Sequence, residues 1–473
     1  MRTLLNPSAP SAVYAKRRAA IGRALIKAGG GVAVLPTAPE APRNRDSDFP
    51  YRHDSYFYYL TGFSEPGAWL VIEASGKAVT STLFCRPKDL EREIWDGIRL
   101  GPQAAPAQLG LDAAFSVAAL DEKMPELLAN QPAVWFPFAT HQGLETQVDG
   151  WLNQVRARVR LGAECPQSQH DLCRLLDEMR LLKDAHEIAI LRRAGAISAA
   201  TNVRAMQTSA ALLRAGVKCG LREYHLDAEL LHEFRRHGSE FPAYTSIVAA
   251  GSNACVLHYR AGNAELKSGQ LCLIDAGCEL EGYASDITRT FPADGKFTSA
   301  QRTLYDIVQA SQEAAIAATR PGNRFIDPHN AATRVLIEGM LDTGLLARAK
   351  HGSVDDVLAS GAYRQFYMHR TGHWMGMDVH DCGNYTEPGS QPQEEKDALG
   401  QTVMRRPSRI LKPGMVLTIE PGLYVRPGKG VPKKFWDIGI RIEDDALVTP
   451  QGCELTTRGV PVKAAEIEAL MRG

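Results

Sequence analysis

The sequence predicts an α+β protein of two domains, and three observations carry that prediction. Up to about residue 175, short β-rich runs bounded by Gly, Pro or polar residues alternate with short helical ones. Long amphipathic helical patterns begin just beyond that point. Further on, strand-like runs return, each carrying a carboxylate where an apolar side chain is expected. The boundary falls near residue 176, giving a mixed α/β domain over 1–176 and a second domain over 177–473.

The elements follow in order. No acidic residue precedes Glu40, whereas Lys16, Arg17, Arg18, Arg23 and Lys27 are basic. An organellar transit segment has that composition, but so does an opening amphipathic helix with Val13, Ile21, Leu25 and Ile26 turned partly inward, and the helix is the reading preferred here. It leads into the strand-like GVAVLP. AWLVIEA, AVTSTLFC and AVWFPF supply further strands. Asp184 with Glu187 forms a capping-box pattern, and Ile188, Leu191 and Ile197 begin an apolar stripe. A second helix is expected from about Leu221 to His237, with Leu226, Leu230 and Phe234 on one face and Gly238 as its stop. Residues 383–408 are polar and aperiodic and read as a long surface insertion.

Composition removes several function classes. The 54 basic and 54 acidic residues cancel, which leaves no general electrostatic footprint for nucleic acid or an anionic membrane. No apolar run approaches the roughly 20 residues of a membrane span. The nine cysteines are scattered and contain no CxxC pair, arguing against a disulfide scaffold or zinc ribbon and for a reducing, cytoplasmic setting.

The chemistry begins at LCLIDAGCELEGYASDITRTFP, where two apolar arms each carry one aspartate, Asp275 and Asp286. A four-residue loop at Glu279–Gly282 sets these two directly opposite each other, and like charges so placed destabilise a sheet. One aspartate is then protonated, a base intervenes, or cations sit between them. Arg289, the nearest base, has the parity of the opposite face.

Three further segments repeat the anomaly. MHRTGHWMGMDVHD carries His369, His373 and His380, with Gly372 and Gly376 arguing against a helix; alone it reads as readily as a structural cluster. In GMVLTIEPGLYV, Met415, Leu417 and Ile419 share one strand face, and Glu420 ends the other before a Pro-Gly turn. In IGIRIEDDALV, Ile438, Ile440 and Ile442 share a face opposite Arg441 and Glu443, a pair that alone reads as an ion pair. If the four carboxylates converge, burying them unpaired costs many kcal/mol, and two divalent cations cancel the charge. Carboxylates with one imidazole and no thiolate favour Mn²⁺, Zn²⁺, Co²⁺ or Fe²⁺. Two such ions about 3.5–4 Å apart activate a shared water at neutral pH and polarise a carbonyl, which is hydrolytic chemistry.

The order Asp, ten residues, Asp, then His, Glu and Glu resembles the dimetal "pita-bread" metallopeptidases: methionine aminopeptidase, prolidase and, nearest of these, the bacterial aminopeptidase P family. The resemblance spans nearly the whole chain. It includes RNRDSDFPYRHDSYFYYLTGFSEP, EMRLLKDAHEIAILRRAG, YTSIVAAGSNACVLHY, LIDAGCELEGYASDITRTFP, HWMGMDVHD, LTIEPGLY and GIRIEDD. It implies a creatinase/prolidase-like first domain, serving substrate access and oligomerisation, and a pita-bread catalytic domain. It implies hydrolysis of the bond between any N-terminal residue and a following proline by a hydroxide held on two metals, Mn²⁺ foremost. Asp275, Asp286, His373, Glu420 and Glu443 match the metal ligands, and Glu420 also the proton acceptor. His258, His369 and His380 match histidines around the substrate and transition state. Tyr424 and Arg441 match pocket residues, and Trp95 resembles an aromatic that reaches a neighbouring subunit's site. The implied assembly is a homodimer or homotetramer acting on peptides with proline second, without nucleic acid or membrane.

Prolidase activity, confined to Xaa-Pro dipeptides, is the alternative within enzymes. A binding module that has lost its metals is the alternative outside them, and the five intact ligands oppose it. The insertion at 383–408 separates two site segments, so it is either a plain surface loop or a border of the entrance.

Overall fold

The computed structural model describes residues 11–216, 220–396 and 401–472, which form two compact units, Met1–Met179 and Arg180–Gly473. Helix Ser11–Lys27 opens the first unit with Ile21 and Leu25 buried. Arg17 and Arg18 are buried as well: the Arg18 guanidinium donates to the carbonyls of Leu60, at 2.8 Å, and Leu109, at 3.0 Å. Part of the basic character of this segment therefore holds backbone rather than facing water.

Six strands follow, numbered β1 to β6 in chain order: Gly31–Pro36, Trp69–Ser75, Ala78–Cys85, Ala113–Ser116, Ala133–Phe136 and Ser168–Asp171. They form one mixed sheet in the order β4-β3-β2-β1-β5-β6. Val32, Val34, Val71, Phe84, Val134 and Phe136 pack under Met124, Val148 and Trp151 of the covering helices. The β4 and β6 strands went unanticipated in the sequence; each is four residues long, β4 with only Ala113, Ala114 and Phe115 as an apolar stretch and β6 with none.

The second unit is helices around small antiparallel sheets, as the α+β reading requires. Asp184 caps helix Ala185–Ala215 with both bonds of the expected capping box. Its buried stripe runs Ile190, Leu191, Ala194 and Ser198, so Ile188 and Ile197 flank the stripe rather than define it. The second expected helix runs Glu223–Arg236 and buries Leu226, Leu230 and Phe234. Thr298 and Gln301 form another capping box on helix Ser299–Ala318, which packs against helix Ile326–Thr343; Leu304 and Val308 of the first and Leu336 and Met340 of the second are buried.

Two of the sheets build the site. One orders Thr288–Pro292, Leu271–Asp275 and Ile247–Ala250; the other orders Val416–Ile419, Asp444–Thr449 and Gly452–Leu455. Met415, Leu417 and Ile419 bury their shared face against Leu181 and Trp374, as their alternation predicts. Each buried aliphatic of this kind contributes about 1.5–3 kcal/mol relative to exposure.

Three sequence expectations need correction. The loop between the aspartate strands has two residues rather than four: Leu280 pairs with Tyr283, and Glu281 and Gly282 both take positive φ, 53° and 77°. That pair of left-handed residues is the type I′ turn that matches strand twist. Asp275 consequently opposes Thr288 instead of Asp286. The slip is two residues, an even number, so both aspartates keep the same face and become diagonal neighbours. Second, IGIRIEDDALV is not one strand. Ile438–Arg441 pairs with Gly422–Val425, and the chain changes partner before Asp444–Thr449 joins Val416–Ile419. Third, the insertion contains a ladder, Gln393–Lys396 against Thr402–Arg405, with the intervening residues 397–400 outside those described.

Candidate active site

The two sheets and the loop 369–381 converge on one cavity of about 1450 Å³. Asp275 ends its strand, and Asp286 lies two residues before the next strand begins, so both face the same space. Tyr244 ties them together, its hydroxyl lying 2.5 Å from Asp275 Oδ1 and 2.6 Å from Asp286 Oδ1.

The loop that carries the histidines is held by backbone contact. Gly372 lies so close to the facing strand that a Cβ there would sit 2.1 Å from the Thr418 carbonyl oxygen. Only glycine permits that approach. It lets Thr418 N–H donate to the His373 carbonyl at 3.0 Å and Glu420 N–H to that of Thr371 at 2.8 Å. At the far end of the loop, Asp381 is buried between Arg180 and Lys183, at 2.6 and 3.0 Å, which anchors the turn bearing His380.

Asp286, His373 and Glu443 can each present a ligand atom within 4.8 Å of the others. Glu420 Oε1 is 3.9 Å from His373 Nε2, at the edge of this group. Asp275 is turned instead to Arg441, whose Nη2 lies 2.5 Å from its Oδ2. Arg441 is thus paired with Asp275 and not with Glu443, its neighbour on the same face. Its Nε donates to Thr288 Oγ1 at 3.0 Å and its Nη1 to the Tyr424 hydroxyl at 3.1 Å. Thr288 passes the chain on, donating to Glu443 Oε2 at 2.6 Å.

His369 sits against the same tyrosine, its Nε2 2.8 Å from the Tyr424 oxygen, and the His380 ring lies 4.1 Å from that of His373. His258 also lines the cavity and is itself exposed. Trp95 belongs to helix Leu90–Asp96 of the first unit and is 84% exposed.

The electrostatics explain what the cluster lacks. Burial pushes the Glu443 carboxyl well above its usual range, and the charges of Asp286, Glu420 and Asp275 push it further. Burial raises Glu420 to about 7 despite the opposing pull of His373 and Arg441. Asp275 is raised by burial, which Arg441 only partly offsets. For Asp286, burial opposes ionisation, but the hydrogen bond and charge of His373 outweigh it and hold its carboxyl low. His373 is raised to about 9: burial works against its charge, and the Asp286 bond and Glu420 overcome it.

Two protein cations thus face four carboxylates, and the imbalance appears as suppressed acidity. A divalent cation relieves that imbalance and takes hard oxygen and imidazole donors, so the donor set fits. Three contributors carried no signal in the pattern of apolar runs: Tyr244 and Thr288, which bond the ligands, and His329, which bonds Thr371 at 2.8 Å. The insertion also reaches the site, with Gln393, Glu394, Glu395 and residues 405–408 lining the cavity.

Comparison with known proteins agrees with this geometry. Residues 189–450 match the model of metallopeptidase family M24, and residues 14–135 match the aminopeptidase P N-terminal domain. The chain is 43% identical to an Xaa-Pro aminopeptidase of Escherichia coli over 93% of this chain and 94% of that one. It is 30% identical to the human Xaa-Pro aminopeptidase 3, over 98% and 87%. Among solved structures, a Pseudomonas aeruginosa aminopeptidase matches with a TM-score of 0.89 at 43% identity, covering 98% of each chain. The aminopeptidase P of E. coli in complex with substrate matches with a TM-score of 0.88 at 41% identity, again over 98% of each chain.

Proposed function

The chain belongs to metallopeptidase family M24, and we propose how its residues divide the work of an Xaa-Pro aminopeptidase, which cleaves the bond between an N-terminal residue and a following proline. Asp275, Asp286, His373, Glu420 and Glu443 would hold two divalent cations, Mn²⁺ before Zn²⁺, Co²⁺ or Fe²⁺. When bound, such cations polarise the scissile carbonyl and lower the pKa of water towards neutrality. The observation that carries this reading is the under-compensated group of Asp286, His373 and Glu443, within 4.8 Å of one another inside the cavity.

The remaining roles belong to the protein. Glu420 takes a proton from the attacking water and delivers it to the prolyl nitrogen as the C–N bond breaks. The hydroxyl of the water ends on the new carboxyl group, and its proton on the amine. His380, whose imidazolium is disfavoured by burial and by His373, donates a neutral N–H towards the developing oxyanion, and His258 approaches from the open side. His369, Tyr424 and Arg441 form a hydrogen-bonded wall that keeps Asp275 oriented. The prolyl nitrogen has no N–H, so the ring is selected by shape rather than by donation. A volume of about 1450 Å³ favours peptides longer than a dipeptide, which weighs against prolidase activity.

The first unit serves substrate access and assembly in this reading, with the active form a homodimer or homotetramer. Trp95, with Leu90 and Ile94 similarly exposed on the same helix, supports burial against a second copy, where Trp95 would border the neighbour's substrate. A cytoplasmic setting suits the buried free thiols of Cys85, Cys255, Cys272 and Cys278. No helix among the described residues is long and apolar enough to cross a membrane. The decisive experiment pairs metal analysis with Xaa-Pro-peptide hydrolysis before and after chelation. Activity should vanish with the metal and return with Mn²⁺, whereas full activity in a metal-free preparation would overturn the reading.

A further inference from the structure

The outer wall of the cavity differs in charge from its floor. Arg260, Arg364, Arg370, Arg405 and Arg406 all line it, all are exposed, and they come from two loops, a short helical turn and the inserted hairpin. Among the described residues none of the five guanidinium groups is in an ion pair. Among the described residues Arg364 is the one of the five set against an aromatic ring, 6.0 Å from the centre of Tyr363. The carboxylates that share this wall are Glu394 and Glu395, so five arginines face two acids. Some surface arginines elsewhere do lie in close ion pairs. Arg348 has Glu338 and Asp342 at 2.6 Å, and Arg192 has Glu454 at 2.6 Å. Unpaired like charges around one opening repel one another and focus a positive potential on whatever enters it.

We propose that this arginine wall recognises an anionic group of the substrate downstream of proline, a carboxylate that anchors the leaving peptide at the cavity mouth. The inference rests on the peptidase reading, because only a peptide engaged at the floor extends its downstream end to this wall. Planar guanidinium groups pair with carboxylates in bidentate fashion, so the chemistry selects a carboxylate over a neutral amide. Two parts of a peptide offer that group: the C-terminal carboxylate of a short substrate and an acidic side chain. The inserted hairpin brings Arg405 and Arg406 to the wall, giving the insertion a part in specificity rather than in the chemical step.

The metal-loaded enzyme is tested with four peptides of one Xaa-Pro-Ala-Ala frame: free acid, C-terminal amide, and each of these with Glu as the last residue. At low salt the free acid should exceed its amide about three- to ten-fold in kcat/KM, mostly through KM, as suits partly exposed ion pairs. Raising the salt to about 1 M should shrink that ratio, because the Debye length falls to about 3 Å. The Arg405→Gln/Arg406→Gln double variant and a separate Arg364→Gln variant should bring the ratio towards one. Preference for Glu among the amides assigns the anion to the side chain, and its absence there assigns it to the C-terminus. If all four peptides are cleaved within two-fold of one another, the arginine wall has no such role, while the peptidase reading stands. If none is cleaved, the peptidase reading itself fails, and this inference with it.

Discussion

Glu443 and Asp444 are consecutive carboxylates with opposite fates. Asp444 is fully buried and fully answered: Arg289 Nη2 lies 2.8 Å away, Thr457 Oγ1 2.8 Å, Gln312 Nε2 2.9 Å and Arg458 Nη2 3.0 Å. Glu443, pointing to the other side, receives the Thr288 hydroxyl and is left among Asp286, Glu420 and Asp275. The first is a structural ion pair of the kind whose rupture costs stability. The second is a site held short of positive charge. A buried acid by itself does not distinguish function from framework; the cations that the fold supplies around it do.

One substitution in each cluster separates the two carboxylates most sharply: the acid itself at Glu443, and the partner Arg289 at Asp444. Glu443→Gln should lower kcat/KM on an Xaa-Pro-peptide by roughly 10³-fold, since metal polarisation supplies several kcal/mol of transition-state stabilisation. The metal content should fall with it, yet the unfolding free energy of the chelated protein should stay level or rise, because a carboxyl that is costly to bury among like groups has gone. Arg289→Met should do the reverse. Stranding Asp444 should cost about 3–5 kcal/mol in denaturant unfolding, with metal stoichiometry kept in whatever fraction folds. If Glu443→Gln destabilised the chelated protein as much as Arg289→Met does, the distinction between the two clusters would fail.

A smaller effect concerns acid. His329 is lowered to about 4 by burial and by the charges of Arg370 and Arg364. Its folded pKa lies below the unfolded value near 6.5, so the unfolded chain takes the proton first. The stability due to neutral His329 is complete above about pH 6.5 and is lost as the pH falls through that value towards 4. Allowing for partial exposure, the loss is about 2 kcal/mol. His329→Gln should remove that portion of the acid sensitivity, measured as unfolding free energy at pH 7 and 4.5 in both proteins.

The smallest effect should come from Tyr244→Phe. Losing the hydroxyl shared by Asp275 and Asp286 should weaken metal affinity about 10- to 100-fold, as for other groups that orient ligands. A metal titration followed by activity would measure it, and an unchanged midpoint would reduce Tyr244 to packing.

Legibility in the sequence followed chemical pattern. A carboxylate inside an apolar run is an anomaly visible without coordinates, and Asp275, Asp286, Glu420 and Glu443 were found that way. Tyr244 and Thr288 were not, because a tyrosine and a threonine are ordinary strand residues and only proximity makes them partners. The hairpin taught a related lesson. Its turn was misjudged by two residues, but parity survived, because strand side chains alternate with period two. The insertion misled further: its polarity hid a two-stranded ladder, since edge strands exposed to water need no apolar face.

By itself the sequence determined three of the helices, one with its capping box, the faces of the strands, the excess of carboxylates and the likeness to dimetal peptidases. These are local properties, set by periodicity and side-chain type within a few residues. Tertiary structure alone decided that Arg441 turns to Asp275 and Arg289 to Asp444, that the insertion joins the cavity wall, and that five arginines gather there in no ion pair with any described residue. Those facts depend on which distant segments meet, and pairing across a fold is a matter of distance and competition among partners that no local pattern encodes.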